Sequence, residues 1–275
     1  MVYPVMTLPI ATRTVTVPGA TLHYEIRGAG PLLLVVGSPM ASAEFAPLAG
    51  ALASDHTVVT YDPRGYAGSS VDDPDAPSSV EQRADDVSAI LDDIGVESAD
   101  LFGSSGGAVT GLSLVARYPG RIGTLVAHEP PLLELLPDAA QQRANTEAII
   151  DTFHRDGFEA AWMHFMRNAG FDVAPDDAPS APPETSENEI RQSARFFDID
   201  LRPTTSYLPD IEALKTGASR VVIGIGVDSR RLLTYQTSVR LCELLGSTPA
   251  EFPGDHGGFM DAPAEFADTL RTVLS

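Results

Sequence analysis

One serine stands where chemistry is possible. Leu101-Phe102-Gly103-Ser104-Ser105-Gly106-Gly107 contains a Gly-x-Ser-x-Gly pattern centred on Ser105. A serine hydroxyl is a weak nucleophile until a general base takes its proton. A sharp strand-to-helix turn lifts such a hydroxyl into reach, and the bulk missing at Gly103, Gly106 and Gly107 lets the chain pass closely. Free N–H groups at the start of the following helix favour a developing anion. Taken alone, the pattern fits a glycine-rich packing turn equally well. The rest of the chain must supply a base, an acid behind it and a second oxyanion donor.

The chain has six histidines. His23 and His56 fall in or next to predicted strands, His154 and His164 in predicted helices, and His128 at a strand end too near Ser105 in sequence to swing over it. His256 differs. Its segment Phe252-Pro253-Gly254-Asp255-His256-Gly257-Gly258 is a flexible loop between the last strand and the last helix, free to carry the ring toward Ser105. Two carboxylates compete to orient that imidazole. Asp228 follows the run Arg220–Gly226, and Glu129 follows Gly123–His128 within His-Glu-Pro-Pro. Both give the chain order serine, acid, histidine, so order does not discriminate. Asp228 is the preferred reading, with helix capping as its structural alternative; for Glu129 that alternative is a surface carboxylate. Asp255 ranks behind both. The expected oxyanion donors are the backbone N–H groups of Gly106 and of Ser38, in the loop after Pro31–Val36.

These residues need a frame that brings strand ends together. Thr14–Val17 and Thr21–Arg27 alternate around Pro18-Gly19-Ala20 and predict a hairpin. Continuous apolar runs such as Pro31–Val36 predict strands buried on both faces, alternating with amphipathic helices such as Val80–Asp93. That alternation predicts a mostly parallel sheet, whose ligands bind at the carboxyl ends of the strands. The rhythm breaks after Glu129. Residues 130–207 read as an inserted helical cap between core segments 1–129 and 208–275. Asp172–Ser186, acidic and proline-rich, reads as a mobile loop inside the cap. A cluster of Phe153, Phe158, Trp162, Met163, Phe165 and Met166 fits a cap core, part of which roofs the site. Trp162, Met166 and Met40 are the expected substrate contacts.

The net charge of −20 disfavours nucleic acid and anionic membrane surfaces as partners. The single cysteine, Cys242, excludes an intrachain disulfide and a cysteine-rich metal site, and fits a reducing, cytoplasmic setting. Met1–Thr12 lacks a basic start and a long apolar core, so no signal peptide is expected there. No metal or cofactor is expected, and the partner is a small, uncharged, fairly apolar molecule. The sequence does not fix the oligomeric state.

With Gly103-x-Ser105-x-Gly107, the chain carries Tyr61-Asp62-x-Arg64-Gly65 and Gly254-Asp255-His256-Gly257 ahead of Ala262-Pro263-x-Glu265-Phe266. In these it resembles the α/β-hydrolase fold superfamily, within its single-domain esterases, lactonases and carbon–carbon hydrolases. The resemblance implies an α/β fold with a mostly parallel eight-stranded sheet, helices on both faces and a helical cap. It also implies a serine hydrolase cleaving an ester or lactone. Three departures stand out. Val36 replaces the usual histidine before the oxyanion loop, and Ala67 replaces a common glycine. Ser229 occupies the usual acid position, with Asp228 one residue early. Some relatives take their acid from the preceding strand, which keeps Glu129 in play. A binding protein on the same fold, or a lyase, cyclase or peroxide-dependent reaction on the same residues, are the alternatives.

Overall fold

The computed structural model describes residues 10–172 and 186–275. The signal-peptide reading of Met1–Thr12 and the mobile-loop reading of Asp172–Ser186 fall almost wholly outside those residues.

The chain opens with a hairpin of β1 (Ala11–Val17) and β2 (Ala20–Gly28), paired antiparallel from Val17–Ala20 to Ala11–Ile26. Then follow β3 (Leu32–Val36), α1 (Ala46–Leu52), β4 (Thr57–Tyr61), β5 (Ser70–Val71), α2 (Val80–Ile94), β6 (Ala99–Ser104), α3 (Gly106–Arg117) and β7 (Ile122–His128). Helices α4 (Ala139–Asp156), α5 (Phe158–Ala169), α6 (Glu187–Arg195), α7 (Leu201–Thr205) and α8 (Ile211–Thr216) fill the interval before β8 (Arg220–Gly226). The chain closes with α9 (Leu233–Leu245), β9 (Ala250–Phe252), α10 (Gly258–Asp261) and α11 (Pro263–Leu274).

The strand order is β1-β2-β4-β3-β6-β7-β8-β9, with β5 added beside β2. From β4 through β9 every neighbouring pair is parallel, and β2 joins β4 antiparallel. The ninth strand, beyond the eight expected, is the two-residue β5, too short to leave a pattern in the sequence.

Alternation along the strands builds two cores. Leu34, Val36, Leu101 and Leu125 face α2, α3 and α9, whereas Leu33, Val35, Phe102 and Val126 face α1 and α11. That two-sided burial is why these strands read as continuous apolar runs. Helix α2 begins where Ser79 Oγ accepts from the Gln82 N–H at 3.1 Å, and it ends at Gly95 in the left-handed region (φ 82°).

A third, smaller core lies among the helices between β7 and β8. It comprises Ile149, Ile150, Ala161, Phe196, Phe197 and Leu201, with Phe153, Trp162 and Phe165 packed on it. Trp162 stacks on Phe196 with centroids 4.8 Å apart. Between α6 and α7 the chain makes one π-helical turn, Phe196–Asp200, a local widening found often at functional sites. Among the described residues, no helix is long and apolar enough to cross a membrane.

Candidate active site

Three adjacent parallel strands deliver the site. Val36 of β3 lies beside Gly103 of β6, and Ser104 of β6 beside His128 of β7. Ser38, Ser105 and Glu129 therefore emerge side by side at the carboxyl edge.

Ser105 sits at φ 55°, ψ −123°, a conformation unfavourable for any residue with a Cβ. Its N–H donates to His128 O at 3.0 Å, and α3 starts at the next residue. The turn is tight enough to demand glycine nearby. A Cβ on Gly107 would lie 2.0 Å from Val36 O, and one on Gly103 would lie 2.6 Å from Gly107 O.

His256 reaches the site from the loop after β9, and it pairs with Glu129. His256 Nδ1 lies 2.7 Å from Glu129 Oε2, and the carboxylate is fully buried. Glu129 Oε1 accepts from Gly226 N–H at 2.8 Å, and Oε2 accepts from Thr234 Oγ1 at 2.8 Å. The Ser229 hydroxyl is buried nearby without meeting hydrogen-bond geometry and adds weaker support. Burial opposes the charge, but the His256 hydrogen bond and the fields of the His128 and His256 rings outweigh it and lower the Glu129 pKa to about 2. Glu129 is itself at positive φ (49°), held by its N–H to Gly224 O at 3.0 Å.

The preference for Asp228 over Glu129 does not match this arrangement. Asp228 is exposed, and its N–H bonds to Gly254 O at 3.0 Å. The reason is the turn after β8, where Ser229 N–H closes back on Gly226 O at 3.1 Å. That turn buries position 229 and sends position 228 outward. Asp255 also serves the loop, accepting from Gly257 N–H at 2.8 Å.

Ser105, His256, Ser38 and Gly106 line one cavity of about 430 Å³ beneath the helices between β7 and β8. Met40, Trp162 and Met166 lie along its wall. The lining is mostly apolar, with Ile149, Phe165 and Phe171 among its residues. Among the described residues, the Ser38 and Gly106 N–H groups meet no acceptor in the chain, as donors reserved for an incoming oxygen would. No group of three or more His, Cys, Asp or Glu residues is placed to hold a metal ion among the described residues.

The Tyr61–Gly65 segment supports the site from behind. Asp62 accepts from Ser42 N–H and Gly68 N–H, each at 2.9 Å, and so anchors the loop that carries Ser38. Arg64 makes a bidentate pair with Asp86 at 2.7 and 2.5 Å. Tyr66 donates to Asp200 Oδ2 at 2.7 Å and ties this loop to the π-helical turn.

Sequence reasoning missed Thr234, the second residue of α9, which is one of several hydroxyls at that helix start and carries no motif. It weighed His128 only as a strand-end residue unsuited to be the base. That ring is fully buried, with neither nitrogen hydrogen-bonded among the described residues, and packs against Phe102, Phe252 and Phe266. Burial lowers its pKa to about 4, against the smaller opposing pull of Glu129. A base whose folded pKa is depressed loses stability as pH falls below its unfolded value near 6.5. From pH 7 to pH 5 this removes about 2 kcal/mol of stability. Glu129 contributes little in that window, because its stabilisation is lost only as pH falls from 4.5 toward 2. Urea unfolding at the two pH values is expected to show this loss in the native protein and not in His128→Phe. An equal loss in both would place the acid sensitivity elsewhere.

Comparisons with known proteins agree with this architecture. The family model for the alpha/beta hydrolase fold matches residues 30–167. An uncharacterized hydrolase of Bacillus subtilis (strain 168), YraK, is 32% identical over 272 residues, covering 97% of each chain. Among solved structures, a thermophilic esterase from Thermogutta terrifontis superposes with a TM-score of 0.72 at 18% identity, covering 97% of this chain and 98% of that one. The N-acyl homoserine lactonase AidH superposes with a TM-score of 0.69 at 19% identity, covering 97% and 96%. Sequence match, sheet order and strand-end site agree, and the chain belongs to the α/β-hydrolase fold family and is a hydrolase.

Proposed function

We propose that the protein is a serine hydrolase that cleaves a carboxylic ester or lactone of a small, fairly apolar substrate through an acyl-enzyme on Ser105. The observation that carries this reading is the His256–Glu129 pair, 2.7 Å apart, with His256 bordering the same apolar cavity as Ser105. In this reading His256 takes the Ser105 proton as the hydroxyl attacks the carbonyl carbon. Glu129 holds the ring with Nδ1 protonated, so that Nε2 is the base, and it stabilises the imidazolium that forms. The Ser38 and Gly106 N–H groups receive the oxyanion. The imidazolium then protonates the leaving oxygen, and water repeats the sequence to release the acid and restore Ser105.

The helices between β7 and β8 act as a cap that selects substrate. Met40, Trp162 and Met166 set an apolar floor and roof, which favours an uncharged acyl group over an ion. The esterase and lactonase similarities are consistent with that bond type.

The direct test is covalent labelling. A fluorophosphonate probe is expected to modify Ser105, with the adduct mapped by mass spectrometry and blocked by prior incubation with a small aryl ester. Failure to label the native protein, or labelling that persists in Ser105→Ala, would overturn the acyl-enzyme.

A further inference from the structure

We infer that the Ser38 hydroxyl is a third donor to the oxyanion, aimed by the buried guanidinium of Arg83. This rests on the serine-hydrolase reading above and adds to it a group and a device that orients it.

Arg83 projects from α2 and is 1% exposed, among the largest fully buried side chains in the protein. Among the described residues the three other buried arginines have carboxylate partners: Arg27 pairs with Glu25, Arg64 pairs with Asp86, and Arg195 lies 3.7 Å from Asp200. Arg83 makes no salt bridge among the described residues. Its charge falls instead on two hydroxyls. Nη1 donates to Ser38 Oγ at 3.0 Å, and Nη2 donates to Thr204 Oγ1 at 2.8 Å.

A guanidinium only donates, so each hydroxyl must accept and keep its own proton for another partner. The two then differ. Thr204 gives its proton to Asp200 O at 2.6 Å. The Ser38 proton finds no acceptor among the described residues. Ser38 is 6% exposed and borders the same cavity as Ser105. Its Oγ is also close to the start of α3, since a Cβ on Gly106 would lie 3.3 Å from it. With one lone pair held by a cation, the hydroxyl is a stronger donor, and the oxyanion position is the acceptor left to it. Arg83 is thus a positioning residue acting through Ser38.

Ser38→Ala removes the hydroxyl and keeps the backbone N–H. Hydrolysis of p-nitrophenyl butyrate by this variant is expected to fall about 100-fold in kcat, with KM within about twofold of native. Inhibition by phenylboronic acid, which binds as a tetrahedral anion on the serine, should weaken by the same factor as kcat/KM. Arg83→Met should lower kcat as well, yet cause no more than about a twofold further loss in the Ser38→Ala background. Arg83→Gln serves for the same cycle if the methionine variant does not fold. Near-native kcat in Ser38→Ala, or a loss confined to KM, overturns the hydroxyl's role. Multiplicative losses in the double variant overturn the link to Arg83. Fluorophosphonate labelling of Ser105 in Ser38→Ala separates these outcomes from failure of the underlying mechanism.

Discussion

Glu129→Gln is expected to lower kcat for ester hydrolysis by about four orders of magnitude, while Asp228→Asn stays within about twofold of native. The size of the first effect follows from the wiring of the carboxylate. Gly226 N–H points at Oε1 and demands an acceptor there. A glutamine must therefore place its carbonyl oxygen at Oε1 and its NH₂ at the Oε2 position, facing His256 Nδ1 across 2.7 Å. An NH₂ group there requires Nδ1 to accept. The imidazole proton then sits on Nε2, where it cannot receive the Ser105 proton. Thr234 tolerates the change, because its hydroxyl can turn from donor to acceptor. The fold should survive while the tautomer is wrong. Asp228, exposed and pointing away, has no such leverage. Steady-state kinetics on the two purified variants decides the matter, and a larger loss in Asp228→Asn would reverse the assignment.

That prediction concerns the part of the site the sequence left open. The nucleophile turn and the histidine loop were legible because each needs glycine for physical reasons, and glycine is visible. A Cβ at Gly107 would lie only 2.0 Å from Val36 O, so no other residue type fits there. Inner strands such as β3 were legible because both faces are covered, so the run Leu32–Val36 stays apolar. The acid was not legible. Whether position 228 or 229 turns inward depends on one hydrogen bond, Ser229 N–H to Gly226 O, and that bond leaves no mark on residue type. A one-residue offset was enough to make an exposed aspartate look like the missing partner.

Arg83 escaped notice for a related reason. It shares a helix face with Val80, Ala84 and Val87, all buried in the first core. A charged residue beside an apolar stripe reads by default as the solvated edge of that stripe. Only the spatial arrival of Ser38 and Thr204 makes it an interior group. The motif Tyr61-Asp62-x-Arg64-Gly65 was visible, but its work is to hold the Ser38 loop and α2 in place, which spacing alone does not disclose.

The largest effect on turnover belongs to Ser105, and its replacement also tests the strain in the turn. Ser105→Ala and Ser105→Gly both delete the nucleophile, so each should lose about six orders of magnitude in kcat. Their stabilities should diverge. At φ 55°, ψ −123° any Cβ is crowded, and such conformations store about 1–3 kcal/mol. Alanine keeps the Cβ and the strain. Glycine relieves it, at a cost of about 0.4–1 kcal/mol from its freer unfolded chain. Elsewhere in a folded protein glycine is the poorer choice; here the strain term is the larger of the two. Ser105→Gly should exceed Ser105→Ala by about 1 kcal/mol, or roughly 2 °C in Tm. Thermal unfolding of the two variants measures it directly. If the alanine variant is equally stable or more so, the turn is not held against a backbone preference. If glycine is the more stable, the fold gives up stability at residue 105 to keep a hydroxyl raised toward His256, and that sacrifice has a physical reason only when the hydroxyl reacts.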